Sequence, residues 1–138
     1  MVDQLVRIYL EEEKWHKTKL SEEEAEKYYK TLLQTGNIVC HTDKEGVVLG
    51  YIEFFCVTLE QFGRLSRQGK FHIGEEDIVN GNICWLSDLW IDKDCRLKDV
   101  YKIIKKKLFN ATKQCIYYTG LEVKRGRRLR IHRRKYGE

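Results

Sequence analysis

Apolar and polar positions along the chain alternate first with a helical period. Leu5, Ile8 and Tyr9 recur at i, i+3, i+4, with Val6 and Leu10 beside them. That spacing predicts a helix from about Asp3, as N-cap, to about Trp15. A second helix is more strongly signalled. Ser21 and Glu24 make a capping-box pattern, Leu20 and Ala25 can staple its start, and Gly36 suits its end. Its apolar stripe is Ala25, Tyr28, Tyr29, Leu32 and Leu33. From Asn37 the period shortens. NIVCHT, a turn at Asp43–Gly46 and VVLGYIEFFCV predict a hairpin whose second strand, almost wholly apolar, is central and covered on both faces. A helical pattern returns at 58–69 (Leu59, Phe62, Leu65), followed by a polar stretch. ICWLSDLWI (83–91) is a further strand, 97–109 an amphipathic helix with Val100, Ile103, Ile104 and Leu108 on one side, and QCIYYTG (114–120) another strand. The tail alternates Leu129 and Ile131, which favours a strand or hairpin around Gly126.

The resulting order, ααββ(α)βαββ, implies one α/β domain over residues 1–138, built as an α+β layer sandwich. Residues 58–82 stand as an insertion, and 121–136 as a basic strand or hairpin. The strand–helix–strand unit at 83–118 predicts a crossover that sets two neighbouring strands parallel.

Composition narrows the setting. No apolar run approaches the ~18–20 residues that span a bilayer, and the N-terminal stretch lacks the pattern of a secretory signal. The five cysteines, Cys40, Cys56, Cys84, Cys95 and Cys115, are widely spaced, odd in number and without a CxxC pair. Reduced core thiols in a cytoplasmic protein are the expectation, with no metal site and no membrane partner. Charge is unevenly divided. Residues 1–92 hold 10 Lys and Arg against 17 Asp and Glu, whereas 93–138 hold 16 against 4. The last third therefore suits an anionic partner. Nine of the twelve residues in KRGRRLRIHRRK (124–135) are Lys, Arg or His, so solvated surface is a weak account of that run.

Two helices, a hairpin, then GYIEFF (50–55), CWLSDLWIDKDCRLKDVYKIIKKKL (84–108) and CIYYTG (115–120) resemble the GNAT N-acetyltransferase superfamily, in a divergent form of phage or mobile-element type. The resemblance spans roughly residues 1–120, with its core in 83–118. It implies a mixed sheet flanked by helices, with an acyl-CoA such as acetyl-CoA lying across the splayed ends of two parallel strands and transferring its acyl group directly to an amine. The implied cofactor contacts are backbone amides of Leu89, Trp90, Ile91, Leu97, Lys98 and Val100, with Arg96 matching an arginine at the loop entrance. The family's usual loop reads Arg/Gln-x-x-Gly-x-Gly/Ala, and its small positions fall here on Leu97, Asp99 and Tyr101. Glycine serves such loops because free N–H groups must reach phosphates without a Cβ in the way. Asp99 favours the helix dipole but competes with a bound anion.

Three residues are candidates for the chemistry. Glu53, inside an apolar strand, is paired or protonated if it faces inward, and near a cleft it could act as general base; at an edge it is an ordinary ion-paired carboxylate. Asp88, beside Ser87, falls by the resemblance on the strand lining the acyl and amine pocket, where it could take a proton; otherwise it marks a hydrogen-bonded strand bulge. Tyr118, or Tyr117, falls near where relatives carry an acid for the departing thiolate, or else fills the core. Trp90 could flank a cofactor. Two other readings stay open. Arg125, Arg127, Arg128, Arg130, Arg133 and Arg134 could bind nucleic-acid phosphates, whereas Arg96, Lys98 and Lys102 could neutralise those of CoA. A non-enzymatic interaction protein on an inherited scaffold is the third.

Overall fold

Ser21 begins the second helix as its pattern predicts: its hydroxyl accepts from the Glu24 N–H at 3.1 Å, while the Glu24 carboxylate accepts from the Ser21 N–H at 2.9 Å. In the computed structural model, which describes residues 1–12, 19–68, 81–120, 123–124 and 127–128, this helix, α2, runs Glu22–Thr35. It ends at Gly36, whose φ of 76° only glycine adopts cheaply. The preceding helix, α1 (Val2–Glu11), starts one residue before the expected cap; the continuation toward Trp15 falls largely outside the described residues.

The hairpin forms from β1 (Ile38–Thr42) and β2 (Val48–Val57), and β2 pairs antiparallel with β3 (Ile83–Ile91). Between them lies α3 (Leu59–Gln68), capped by reciprocal bonds between Thr58 and Gln61 and buried through Leu65; the rest of the expected insertion, 69–80, lies outside the described residues. After β3 come α4 (Leu97–Ala111) and β4 (Tyr117–Gly120), which pairs parallel with β3. The sheet order is β1-β2-β3-β4, so the architecture is mixed α/β, with four helices and a four-stranded mixed sheet among the described residues. A separate two-stranded pairing joins β5 (Val123–Lys124) to β6 (Arg127–Arg128), the hairpin form of the tail.

Two cores sit on the two faces of this sheet. Leu5, Val6, Ile8 and Tyr9 of α1 and Ala25, Tyr29 and Leu32 of α2 pack on Val48, Tyr51, Phe55, Val57 and Trp85. Val100, Ile104 and Leu108 of α4 pack on Ile52, Phe54, Cys56, Cys84, Leu86, Leu89 and Ile91. Burial on both faces is why β2 reads as a continuous apolar run. Gly50 permits the close crossing of α4, since a Cβ there would sit 2.8 Å from Val100 Cγ1 and 2.9 Å from Ile104 Cδ1.

Candidate functional site

Strand β3 breaks its own alternation. Cys84 and Leu86 face α4, and so do Leu89 and Ile91, a switch from even to odd positions. The cause is a β-bulge: Leu86 pairs with Phe54 and Asp88 with Glu53, leaving Ser87 as an extra residue. Ser87 and Asp88 consequently both turn to the α1–α2 side, where Tyr51 and Glu53 of β2 meet them. The Ser87 hydroxyl donates to Glu53 Oε2 at 3.2 Å, and the Tyr51 hydroxyl donates to Asp88 Oδ2 at 3.1 Å. Glu53 and Asp88 are fully buried, directly opposed carboxyl groups, and Ser87 keeps 9% exposure.

Aromatic side chains line this polar row. Trp90 stacks on Tyr51, ring centroids 6.1 Å apart at 22°, and its indole N–H donates to Glu12 Oε1 at 3.2 Å. Tyr28 and Tyr29 of α2 meet edge to face above it, and the Tyr28 hydroxyl is enclosed although the residue as a whole is half-buried. Burial, then the negative charge of Glu53, the neighbouring Tyr29 and the charge of Asp88, push the Tyr28 phenol well above the usual tyrosine range.

Tyr118 is elsewhere. It belongs to the α4-side core, where its hydroxyl shares a 2.8 Å bond with Thr112 Oγ1 and donates to the Thr112 carbonyl at 3.2 Å, with its ring against Phe109. The sheet therefore separates it from Glu53 and Asp88. Tyr117 points outward, 43% exposed.

The opposite end of β3 leads into the loop before α4. Among the described residues, parallel pairing with β4 covers Ile83–Leu86 against Tyr117–Gly120, β3 continues to Ile91, and β5 also lies close to β3. Gly120 closes the ladder with a φ of 118°, and a Cβ there would collide with the Leu86 carbonyl. Beyond the bulge, the Asp92 N–H donates to the Leu49 carbonyl at 2.9 Å. Because hydrogen-bonded and non-bonded pairs alternate in an antiparallel ladder, Trp90 then directs its N–H to β2, whereas Leu89 and Ile91 direct theirs to the β4 side.

The loop itself is a tight turn: Asp92 Oδ1 accepts from the Asp94 N–H at 2.9 Å and the Asp92 carbonyl from the Cys95 N–H at 3.0 Å. Arg96 is the N-cap of α4, which has no side-chain cap. The N–H groups of Asp99 and Val100 both donate to the Arg96 carbonyl, at 3.1 and 3.3 Å. Of the expected amide contacts, Trp90 and Val100 are thus committed within the fold, and Leu89 too has a partner; Ile91, Leu97 and Lys98 compose the remaining set. Arg96 and Asp99 form an ion pair at 3.8 Å, both side chains largely exposed, the kind of pair that a phosphate can displace. Lys93, Lys98 and Lys102 are exposed around them. The residues thus fit an anion in cation supply and amide direction, but without glycine.

Of the tail arginines, Arg127 and Arg128 fall in β6, and Arg125, Arg130, Arg133 and Arg134 lie outside the described residues. Among the described residues no group of three or more His, Cys, Asp or Glu is arranged to hold a metal ion, and no helix is long and apolar enough to cross a membrane. Neither a protein-family model nor a curated protein matches the chain.

Sequence reading singled out Glu53 and Asp88 but not Tyr28 or Tyr51, and it noted Ser87 only as a neighbour. The signal for Ser87 was present: the parity switch within ICWLSDLWI marks the bulge.

Proposed function

We propose that the protein is an N-acyltransferase that takes its acyl group from an acyl-CoA and delivers it to an amine, on a GNAT-like scaffold in a cytoplasmic setting. One observation carries this reading: among the described residues β3 extends past its parallel pairing with β4, and Ile91 directs its N–H group to that side. Acyl-CoA, when bound, supplies an acyl group activated as a thioester. Ile91, Leu97 and Lys98 would hold it through backbone N–H groups, with Arg96, Lys98 and Lys102 neutralising phosphates.

On the chain's side the chemistry is proton removal. Ser87, the buried bulge residue that keeps 9% exposure, receives the proton of the acceptor amine at Oγ while its own proton passes to Glu53 Oε2. Asp88, held by Tyr51, fixes the bulge and the local charge. Tyr118 has no part in this path, because its hydroxyl is tied to Thr112 on the far face. The test is mass-spectrometric detection of acetyl transfer across a panel of small amines, polyamines and peptides. Glu53→Gln should lower kcat/KM by about 10²–10⁴ while remaining folded, and Tyr118→Phe should change it no more than a few-fold. Transfer that survives Glu53→Gln unchanged would eliminate the proton path.

The basic tail supports a second reading, nucleic-acid binding or modification. Its β5–β6 hairpin could lay Arg127 and Arg128 along a groove. Replacing Arg127, Arg128, Arg130, Arg133 and Arg134 by Ala should then abolish salt-dependent DNA affinity; equal affinity before and after removes the idea.

A further inference from the structure

Two strands and the segment before a third bring three cysteines to one end of the sheet, the end away from the α4 N-terminus. Cys56 near the end of β2 is the direct cross-strand partner of Cys84 on β3, and Cys115 lies two residues before β4. All three side chains belong to the α4-side core. The Cys115 and Cys56 sulfurs are 3.2 Å apart, with Cys115 as donor, and Cys115 Sγ also lies 3.8 Å from the Gly81 carbonyl. The local backbone is closely laced: the Gly81 N–H donates to the Cys56 carbonyl at 3.1 Å, and the Ile116 N–H donates to the Asn82 carbonyl at 2.8 Å. None of the five cysteines is in a disulfide.

We propose that Cys56, Cys84 and Cys115 form a peroxide-reactive thiol centre, in which Cys56 is oxidised first and Cys115 resolves it to an intramolecular disulfide. Hydrogen bonds from Cys115 and then Cys84 draw the Cys56 thiol down toward the thiolate, so that one sulfur carries the charge and its neighbours keep their protons. Cys84 is held protonated first by burial, and Cys115 first by its bond to Cys56. Cys56 is also the one of the three with residual exposure, 8% against 0% for the others, so a small oxidant meets it first.

The step balances. The Cys56 thiolate attacks one oxygen of hydrogen peroxide, the O–O bond breaks, and Cys56 sulfenic acid and hydroxide form. The Cys115 sulfur then attacks the sulfenic sulfur, the S–O bond breaks, and the oxygen leaves as water with the Cys115 proton. Two thiol sulfurs lose two electrons and peroxide gains them. Because Cys56 and Cys115 flank β3 in the sheet order, the disulfide ties β2 to the start of β4.

The test uses the full chain, treated with hydrogen peroxide at neutral pH, quenched with an alkylating agent and mapped by peptide mass spectrometry. The expected product has lost the mass of two hydrogens and two alkylatable thiols, with a Cys56–Cys115 crosslinked peptide that a dithiol reductant reverses. Cys84→Ser should retain the crosslink, and Cys115→Ser should stop at a sulfenic acid on Cys56, trapped by a dimedone-type probe. The wild-type rate provides a readout that needs no variant to fold: from pH 6 to 8 it should change less than about two-fold, whereas a thiol of ordinary pKa would speed up about 75-fold. Five intact thiols after treatment, a crosslink at other cysteines, or a rate rising with pH like an ordinary thiol would overturn the proposal. None of these results bears on acyl transfer.

Discussion

Removing the Tyr51 hydroxyl isolates one bond of the buried polar row. Tyr51→Phe keeps the ring that stacks on Trp90 and removes the 3.1 Å bond to Asp88 Oδ2. Both residues are fully buried. A hydrogen bond to a charged acceptor contributes about 1.5–3 kcal/mol, and one to a neutral acceptor about 0.5–1.5 kcal/mol. With about 2.1 cal/mol/K of unfolding entropy per residue, a chain of 138 residues has an unfolding entropy of about 0.29 kcal/mol/K. Tyr51→Phe should therefore lower Tm by about 5–10 °C if Asp88 is ionised, and by about 2–5 °C if it carries a proton. Calorimetry of wild type, Tyr51→Phe, Asp88→Asn and the double variant closes a cycle whose coupling energy belongs to this bond. A Tm within about 1 °C of wild type for Tyr51→Phe, or no coupling in the cycle, would refute the buried bond as drawn.

Further outcomes follow from other sites. The Tyr28 phenol is raised in the folded state, so its contribution is intact below the unfolded tyrosine value of about 10 and is lost as pH climbs above it, at about 1.4 kcal/mol per pH unit; denaturant melts should show wild type losing stability above pH 10 more steeply than Tyr28→Phe, and parallel curves would contradict the shift. Gly120→Ala sets a side chain at a φ of 118° against the Leu86 backbone, whereas Gly36→Ala, at a φ of 76°, meets nothing within 4 Å. The first should cost clearly more than the ~1–2 kcal/mol of left-handed strain expected for the second, and equal losses by denaturant titration would show that β4 does not need this close approach. Cys40, half-buried, has its thiol pushed up to about 11, chiefly by burial and against the opposing Lys107 cation. At pH 8 it should alkylate on the order of 200-fold more slowly than an ordinary thiol, and peptide mapping that finds it labelled at the ordinary rate would negate this.

The elements of this fold were largely legible because local signals agree: the Ser21–Glu24 box and Gly36 bracket α2, and the unbroken apolar run of β2 announces burial on both faces. What a linear reading misses is register. Glu53 and Asp88 are 35 positions apart, and their opposition follows from strand pairing, with the bulge at Ser87 turning both bulge residues to the same side. The three thiols are similarly scattered in sequence and meet only because β2, β3 and the segment before β4 align. Tyr118 shows the converse. Its position on the last strand suited an acid, but strand alternation turns it to the α4 side, where Thr112 holds it. The amide contacts divided for the same kind of reason, since neighbouring N–H groups on a strand point to opposite edges.

The central claim, that the end of β3 and the start of α4 receive an acyl-CoA, is tested most directly by titrating the protein with acetyl-CoA and following its thermal unfolding. At about 100 times the dissociation constant the ligand should stabilise the native state by about 2.7 kcal/mol, a rise of about 9 °C for a chain of this length. Arg96→Ala with Lys98→Ala should weaken the response, and Tyr118→Phe should leave it unchanged. No shift up to millimolar acetyl-CoA would contradict the claim and leave the basic hairpin as the part of this protein that meets phosphate.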